Sequence, residues 1–523
     1  MFDKILIANR GEIACRVIRT ARRMGIPTVA VFSDADAGAL HVRQADESYR
    51  LGPPSAAESY LSVQRILEAA KRTGADAIHP GYGFLSQNPA FATACQEAGV
   101  AFVGPRPSVM QAMGDKVLAR RLAKEAGLPL VPGVDHEVSD AEAPDIAEVL
   151  GFPVMVKAAE GGGGIGVRIV QRPRSLERVL QRARTLAQGA FGSARVYLER
   201  YVEEASHVEV QVLADEHGNA VHLFERDCSV QRRHQKIVEE TPCAKIDSSL
   251  RQALYDAALA LVRHIGYTNA GTVEFLVDRQ RRFYFLEMNT RLQVEHGITE
   301  MVTGLDLVEL QLRIAAGEPL PFRQSDLRSK GHAIEVRLYP EEPETFLPVL
   351  GTLKSVEVPT GDGIRVDSAL FPGYEVTPYY EPMLAKVMAW GEDRDIAIER
   401  LENALRAFRL EGLTVNIPVL RSVLGDPTFR LATYDCDTLT KLTGRRRTQH
   451  NLRMAAPGSP TPSLDGDDSE SDEQDGPEVT AAAALALALS GVKTGAATSG
   501  GARWRQGGRY EQLVANAGGR SPW

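Results

Sequence analysis

The chain has 523 residues, 44% hydrophobic and 24% charged, with a net charge of −8. That length exceeds one hydrophobic core, so two to four domains of ordinary globular composition are expected. An acidic balance excludes a general nucleic-acid or anionic-membrane binder, because those partners select basic surfaces.

The opening MFDKILIANRGE lacks the pattern of a secretion signal, and no apolar run is long enough to span a bilayer. Cys15, Cys95, Cys228, Cys243 and Cys436 are odd in number and scattered. Neither a disulfide framework nor a zinc site is expected, and a reducing cytoplasm fits.

Strand and helix patterns alternate first. Residues 4–8 read as an apolar strand, 12–24 as a helix and 28–32 as a second buried strand. Further strands are expected at 77–78 and 100–103. Such alternation predicts a doubly wound parallel sheet. The following acid, Asp34, invites a dinucleotide-binding reading, but the turn Asn9-Arg10-Gly11-Glu12 has one glycine where that fingerprint wants three.

Residues 114–202 hold helices and a strand–loop–strand unit. A strand ends at Lys157, and Gly161–Gly164, Ile165 and Gly166 precede a second strand at 167–170. A glycine run lets backbone N–H groups approach phosphate oxygens, and Lys157 adds a point charge. A P-loop is excluded, because no Ser or Thr follows a lysine at the loop's end and a strand follows, not a helix. The loop reads as a flap over a nucleotide; the plain alternative is a mobile surface hairpin.

From 203 to 444 the pattern is α+β. Runs 273–276 and 283–287 predict a hairpin centred between Gln280 and Arg281, with Glu274 opposite Glu287. Opposed side chains lie roughly 5 Å apart, where like charges repel. Asn289 shares their face if the strand continues. Two carboxylates and an amide oxygen suit a hard cation, Mg²⁺ shared with phosphate better than Ca²⁺.

Beyond them Arg291, Gln293 and Glu295 alternate with Leu292 and Val294, which in an extended chain puts all three polar groups on one side. A guanidinium beside an amide suits a planar oxyanion such as bicarbonate, and a neighbouring carboxylate can remove its proton. His234 and Lys236 lie in the basic run RDCSVQRRHQK, which could serve nucleotide and oxyanion or form a solvated or RNA-contacting strand. Arg337 sits in the strand-like HAIEVR, where alone it reads as an exposed or ion-paired arginine.

At these residues the sequence resembles the biotin carboxylase component of biotin-dependent carboxylases, in the ATP-grasp superfamily. KILIANRGEIA, HPGYGFLSQN, the Lys157 loop, RDCSVQRRHQK, EMNTRLQVEH, HAIEVR and Tyr379-Tyr380 carry the resemblance across residues 1–446. It implies a mixed α/β and α+β ATP-grasp fold: a pre-ATP-grasp N-terminal domain (1–113), linker helices with a mobile lid (114–202), and ATP-grasp and biotin carboxylase C-terminal parts (203–446).

The resemblance implies ATP contacts from Lys116, Lys157, Gly163, Gly164, Glu199, Val202, His207, Gln231, His234, Glu274 and Glu287. It implies Mg²⁺ or Mn²⁺ on Glu274, Glu287 and Asn289. Bicarbonate would sit on Lys236, Arg291, Gln293, Val294 and Glu295, with Glu295 as base and Arg337 stabilising the biotin enolate. The implied reaction is ATP-dependent carboxylation of biotin by bicarbonate through carboxyphosphate, the first half-reaction of an acyl-CoA carboxylase. Another ATP-grasp carboxylate ligase, or a regulatory subunit without turnover, are the alternatives.

Ile165, Gly297 and Glu381 depart from the family's usual Lys or Arg, Pro and Asp. No Met-Lys-Met biotin acceptor is present, so a separate carrier protein and carboxyltransferase are expected, with a homodimer or larger complex. Residues 447–478 read as a disordered acidic linker, and 479–523 as a short helix and tail suited to a subunit contact.

Overall fold

The computed structural model describes residues 1–160, 166–232 and 234–444. Gly163, Gly164, Ile165 and the tail from 447 onward therefore lie outside the described residues.

The N-terminal sheet is parallel, in the order Glu47–Gly52, Thr28–Ser33, Ile5–Ile7, Ala77–His79, Ala101–Phe102. Ile5, Leu6 and Ile7 are fully buried because helices cover both faces, the arrangement that lets a parallel strand be a continuous apolar run. Four of these strands match the expected ones. Glu47–Gly52 was not anticipated: it is an edge strand whose first four residues face solvent or are half-buried, so it carries no apolar run. The helix over residues 11–23 begins at Gly11, whose φ of +64° supplies the turn that one glycine could make.

A smaller unit follows, with strands Arg168–Val170, Val154–Ala158 and Val196–Arg200 antiparallel and helices Ala143–Leu150 and Leu176–Phe191 beside them. Val138, Ala147, Val154, Leu180 and Leu198 belong to a core of its own.

The rest is built on an eight-stranded antiparallel sheet ordered Phe283–Asn289, Asn269–Val277, Ser206–Ala214, Ala220–Arg232, Gln235–Thr241, His332–Leu338, Ala385–Gly391, Ile364–Ser368. One face of strand Ser206–Ala214 sends Val208, Val210 and Val212 into the core. The other presents His207, Glu209 and Gln211, so period-two alternation divides core from site.

Glu240 ties three elements together. Its carboxylate accepts from Nε2 of His332 at 2.6 Å and from Nε of Arg394 at 2.7 Å, and it also meets the Tyr434 hydroxyl. Burial pushes this carboxyl up, but His332 and Arg394 outweigh it and hold it at about 2, below its ordinary 4.5. A folded-state value below the unfolded one contributes stability above pH 4.5 that disappears as pH falls toward about 2. Glu240→Gln is expected to cost about 3–5 kcal/mol at neutral pH, by stranding buried cations, and to lessen the acid sensitivity of the urea midpoint. An unchanged midpoint at pH 7 would refute this.

Candidate active site

Four strands bring one row of charges into register. Arg226 lies opposite Glu209, Glu209 opposite Glu274, and Glu274 opposite Glu287. The Glu274–Glu287 pairing is the one the sequence suggested, reached by a different route. Phe275 pairs with Phe285 and Val277 with Phe283, so the turn centres on Gln280 and the unmatched Leu286 restores the opposition.

Three carboxylates in one row, two of them buried, require cations. Lys236 Nζ lies 2.5 Å from Glu209, 2.8 Å from Glu274 and 2.7 Å from Glu295. Arg226, fully buried, donates from Nε to Glu209 at 2.6 Å and from Nη1 to Gln211 and Thr299 at 2.8 and 2.9 Å. Lys116 reaches Glu287 at 3.2 Å. A bulge places Lys236 on this face: Gln231 pairs with Lys236 but Val230 with Val238, leaving Ile237 without a partner.

Glu274 gathers the polar groups around it. Its Oε1 accepts from Asn289 Nδ2 at 2.8 Å and from Gln293 Nε2 at 2.9 Å, while His207 Nε2 lies 2.8 Å from Oε2. Gln231 Nε2 lies 2.8 Å from His207 Nδ1. Arg291 donates to Gln293 Oε1 at 2.8 Å, Asn289 Oδ1 at 3.2 Å and Gln87 Oε1 at 2.5 Å.

The extended run expected over 291–295 is not formed. The strand ends at Asn289, and Glu295 is the cap residue of helix His296–Thr303, at φ −81° and ψ 12°. The preceding strand is the outer edge of the sheet, so no ladder on that side holds the chain extended. A turn, not alternation, brings Arg291, Gln293 and Glu295 together.

Both Glu295 oxygens are held, one by Lys236 and the other by Arg337 Nη2 at 3.0 Å. Burial pushes the Glu295 carboxyl up, but Lys236, Arg337 and Arg226 hold it well below the usual carboxylate range. Burial alone would lower Lys236; Glu209, Glu274 and Glu295 raise it well above a free lysine. Val294 contributes its backbone oxygen, which accepts from Lys386 Nζ at 2.6 Å.

The nucleotide-side candidates form a second group. Lys157 and Arg120 both pair with Glu199, buried at the base of the glycine loop. Val202 is half-buried just past that strand, and His234 is exposed at the tip of the hairpin that Lys236 follows, at φ +65°. Among the described residues neither hydrogen-bonds the charge row through its side chain, and Gly163 and Gly164 lie outside the described residues. At Gly297 a Cβ would collide with Met388 Sδ, so the thioether fills the space a larger residue would occupy. Glu381 accepts from Gln235 Nε2 at 3.1 Å.

Known proteins are similar to this chain over most of its length. Residues 1–110 match the family described as biotin carboxylase, N-terminal domain, and 335–441 its C-terminal domain. Residues 115–323 match the carbamoyl-phosphate synthase L chain ATP-binding domain. Biotin carboxylase of Halalkalibacterium halodurans is 51% identical over 431 residues, covering 82% of this chain and 95% of that protein. The chain belongs to the biotin carboxylase family.

The biotin carboxylase domain of Hydrogenobacter thermophilus 2-oxoglutarate carboxylase, solved as a dimer with MgADP, ADP and bicarbonate, superposes with a TM-score of 0.82 at 44% identity, covering 84% of this chain and 98% of that one. Some relatives are longer: the chain covers 59% of the rice methylcrotonoyl-CoA carboxylase alpha subunit, at 50% identity.

Sequence reasoning missed Glu209, Arg226 and Glu239, which binds Arg337 Nε at 2.7 Å. The alternation HVEVQV around Glu209 was a readable signal; the partnerships across the sheet were not. Lys236→Met is expected to lower stability by about 3–5 kcal/mol, because three buried carboxylates lose their common cation. The loss should be smaller at pH 5 than at pH 8, since the stranded carboxylates then take up protons. Equal urea midpoints for variant and wild type would contradict the arrangement.

Proposed function

We propose that this chain carboxylates biotin with bicarbonate at the expense of ATP, the biotin being carried on a separate protein. The observation that supports this most directly is the Glu295 carboxylate suspended between Lys236 and Arg337 beside Arg291 and Gln293. That set offers a base and a fork of donors for one small oxyanion.

In this reading bicarbonate displaces the internal contacts of Lys236, Arg291, Gln293 and the Val294 backbone. As Lys236 turns toward the anion, Glu295 loses one cation contact and gains basicity, while Arg337 keeps its place. It removes the bicarbonate proton, and the carbonate oxygen attacks the γ-phosphorus of ATP as ADP departs. Carboxyphosphate breaks down to CO₂ and phosphate; phosphate takes the ureido N–H proton, and the freed nitrogen attacks CO₂. Arg337 stabilises the negative charge that develops on the ureido oxygen.

Lys116, Lys157, Glu199, Val202, His207, Gln231, His234 and the glycine loop with Gly163 and Gly164 are assigned to ATP. Glu274, Glu287 and Asn289 fit a magnesium or manganese ion: two carboxylates in register, with Glu287 the more exposed, beside an amide. When bound, the ion neutralises charge on the transferring phosphate.

A dimer and a separate carboxyltransferase are part of the same proposal: one relative is solved as a dimer, and another is named as the alpha subunit of a carboxylase. Five unpaired cysteines, four of them buried, suit a reducing cytoplasm, and no helix among the described residues is long and apolar enough to cross a membrane.

The test is bicarbonate-dependent ATP hydrolysis with and without free biotin. Biotin should stimulate the wild type, and Glu295→Ala and Lys236→Ala should each lose at least about 100-fold of that rate. ATP consumption indifferent to bicarbonate would overturn the assignment.

A further inference from the structure

The Arg337 guanidinium rests on a pair of acids that the reaction above leaves unused. Glu239 lies directly opposite Glu335 on adjacent antiparallel strands, and both are fully buried. Their Cβ atoms are therefore about 5 Å apart on one face. Glu239 Oε1 accepts from Arg337 Nε at 2.7 Å; its Oε2 and both oxygens of Glu335 have no hydrogen-bond partner among the described residues.

The surrounding charges are already committed. On Glu239's own strand Lys236 serves three other carboxylates. Arg337 divides itself between Glu239 and Glu295. From the next strand Lys386 contacts the Val294 carbonyl at 2.6 Å, Glu12 at 3.5 Å and Asp367 at 3.9 Å. Cys228 approaches from strand Ala220–Arg232, and burial holds its thiol neutral, well above its usual range.

No ion pair among the described residues reaches Glu335. Two ionised carboxylates at this distance, dry and with one shared guanidinium contact, would repel each other at great cost. Burial pushes both upward, Glu239 to about 7 and Glu335 well above the carboxylate range, against the pull of Arg337 and Lys386.

We propose that Glu239 and Glu335 hold a single proton between them and act together as the positioning element for Arg337, fixing the guanidinium so that Nη2 meets Glu295. One negative charge on the pair orients Arg337; two would neutralise it together with Glu295 and blunt its effect on a developing anion. The role rests on the reading of Arg337 as the biotin-facing group, but the shared proton does not.

Two measurements on the full chain decide it. Difference infrared spectra at neutral pH should show a protonated-carboxyl stretch in the wild type that shifts in D₂O and disappears in Glu335→Gln. In steady-state kinetics the wild-type KM for free biotin should climb as pH falls through about 7, when Glu239 takes up a proton and releases Arg337. Glu239→Gln should raise that KM about tenfold, the cost of one charge-assisted hydrogen bond, and remove the climb. Its biotin-independent ATP hydrolysis should change much less, which a general loss of structure would not permit.

A wild type without the band, or a band that survives Glu335→Gln, overturns the shared proton. An unaltered biotin KM in Glu239→Gln overturns the positioning role. If Glu239→Gln fails to fold, Glu239→Asp replaces it, its shorter side chain withdrawing the carboxylate from Arg337 and predicting the same direction of change. A wild type that biotin does not stimulate defeats the functional reading instead, and the infrared result then decides the pair alone.

Discussion

Lys236 is the constraint on which the rest of the site depends. Glu209, Glu274 and Glu287 occupy one row of an antiparallel sheet, where neighbours are too close for like charges to coexist unaided. The ammonium touches two members of that row and Glu295 besides, while Arg226 fixes Glu209 from the far side and Lys116 answers Glu287. An anion entering alone would draw Lys236 away and expose the carboxylates to one another. An anion arriving with a divalent cation replaces the charge it displaces. Under the proposed function, the electrostatics of the row favour joint binding of nucleotide, metal and oxyanion over binding of any one of them.

Two of the register shifts in this sheet set which side chains face the site. Leu286 shifts the hairpin so that Glu274 and Glu287 oppose, and Ile237 rotates Lys236 onto the face occupied by Glu239 and Arg337. Without them, strict alternation would send one of these side chains toward the apolar layer formed by Val230, Val238 and Val336. The bulges therefore belong to the site as much as the charged groups do.

What the sequence disclosed follows the range of the interactions. The parallel strands around Ile5–Ile7 were legible because burial on both faces leaves an apolar run; the polar edge strand Glu47–Gly52 left none. The Glu274–Glu287 opposition was legible because a short turn joins the two strands. Glu209 was not, since its place beside Glu274 is set by a pairing between strands far apart in the chain. Arg291, Gln293 and Glu295 were grouped from an extended pattern that is absent; the turn into the helix keeps them near one another instead.

The family segments at 1–110, 115–323 and 335–441 suggest places to divide the chain, yet its interior is not divided there. Tyr380, from the last segment, is buried in the core of the first: its hydroxyl meets Ser33 Oγ at 2.5 Å, and Arg10 lies 4.5 Å from its ring. Ile5 and Ile7 likewise share a core with Leu213, Leu223 and Leu312 of the middle segment. Among the described residues, the unit around Val154 and Leu198 keeps an apolar interior to itself. Dissection at the family borders would open wet seams through two shared interiors, whereas exchange of that smaller unit between relatives would leave both intact.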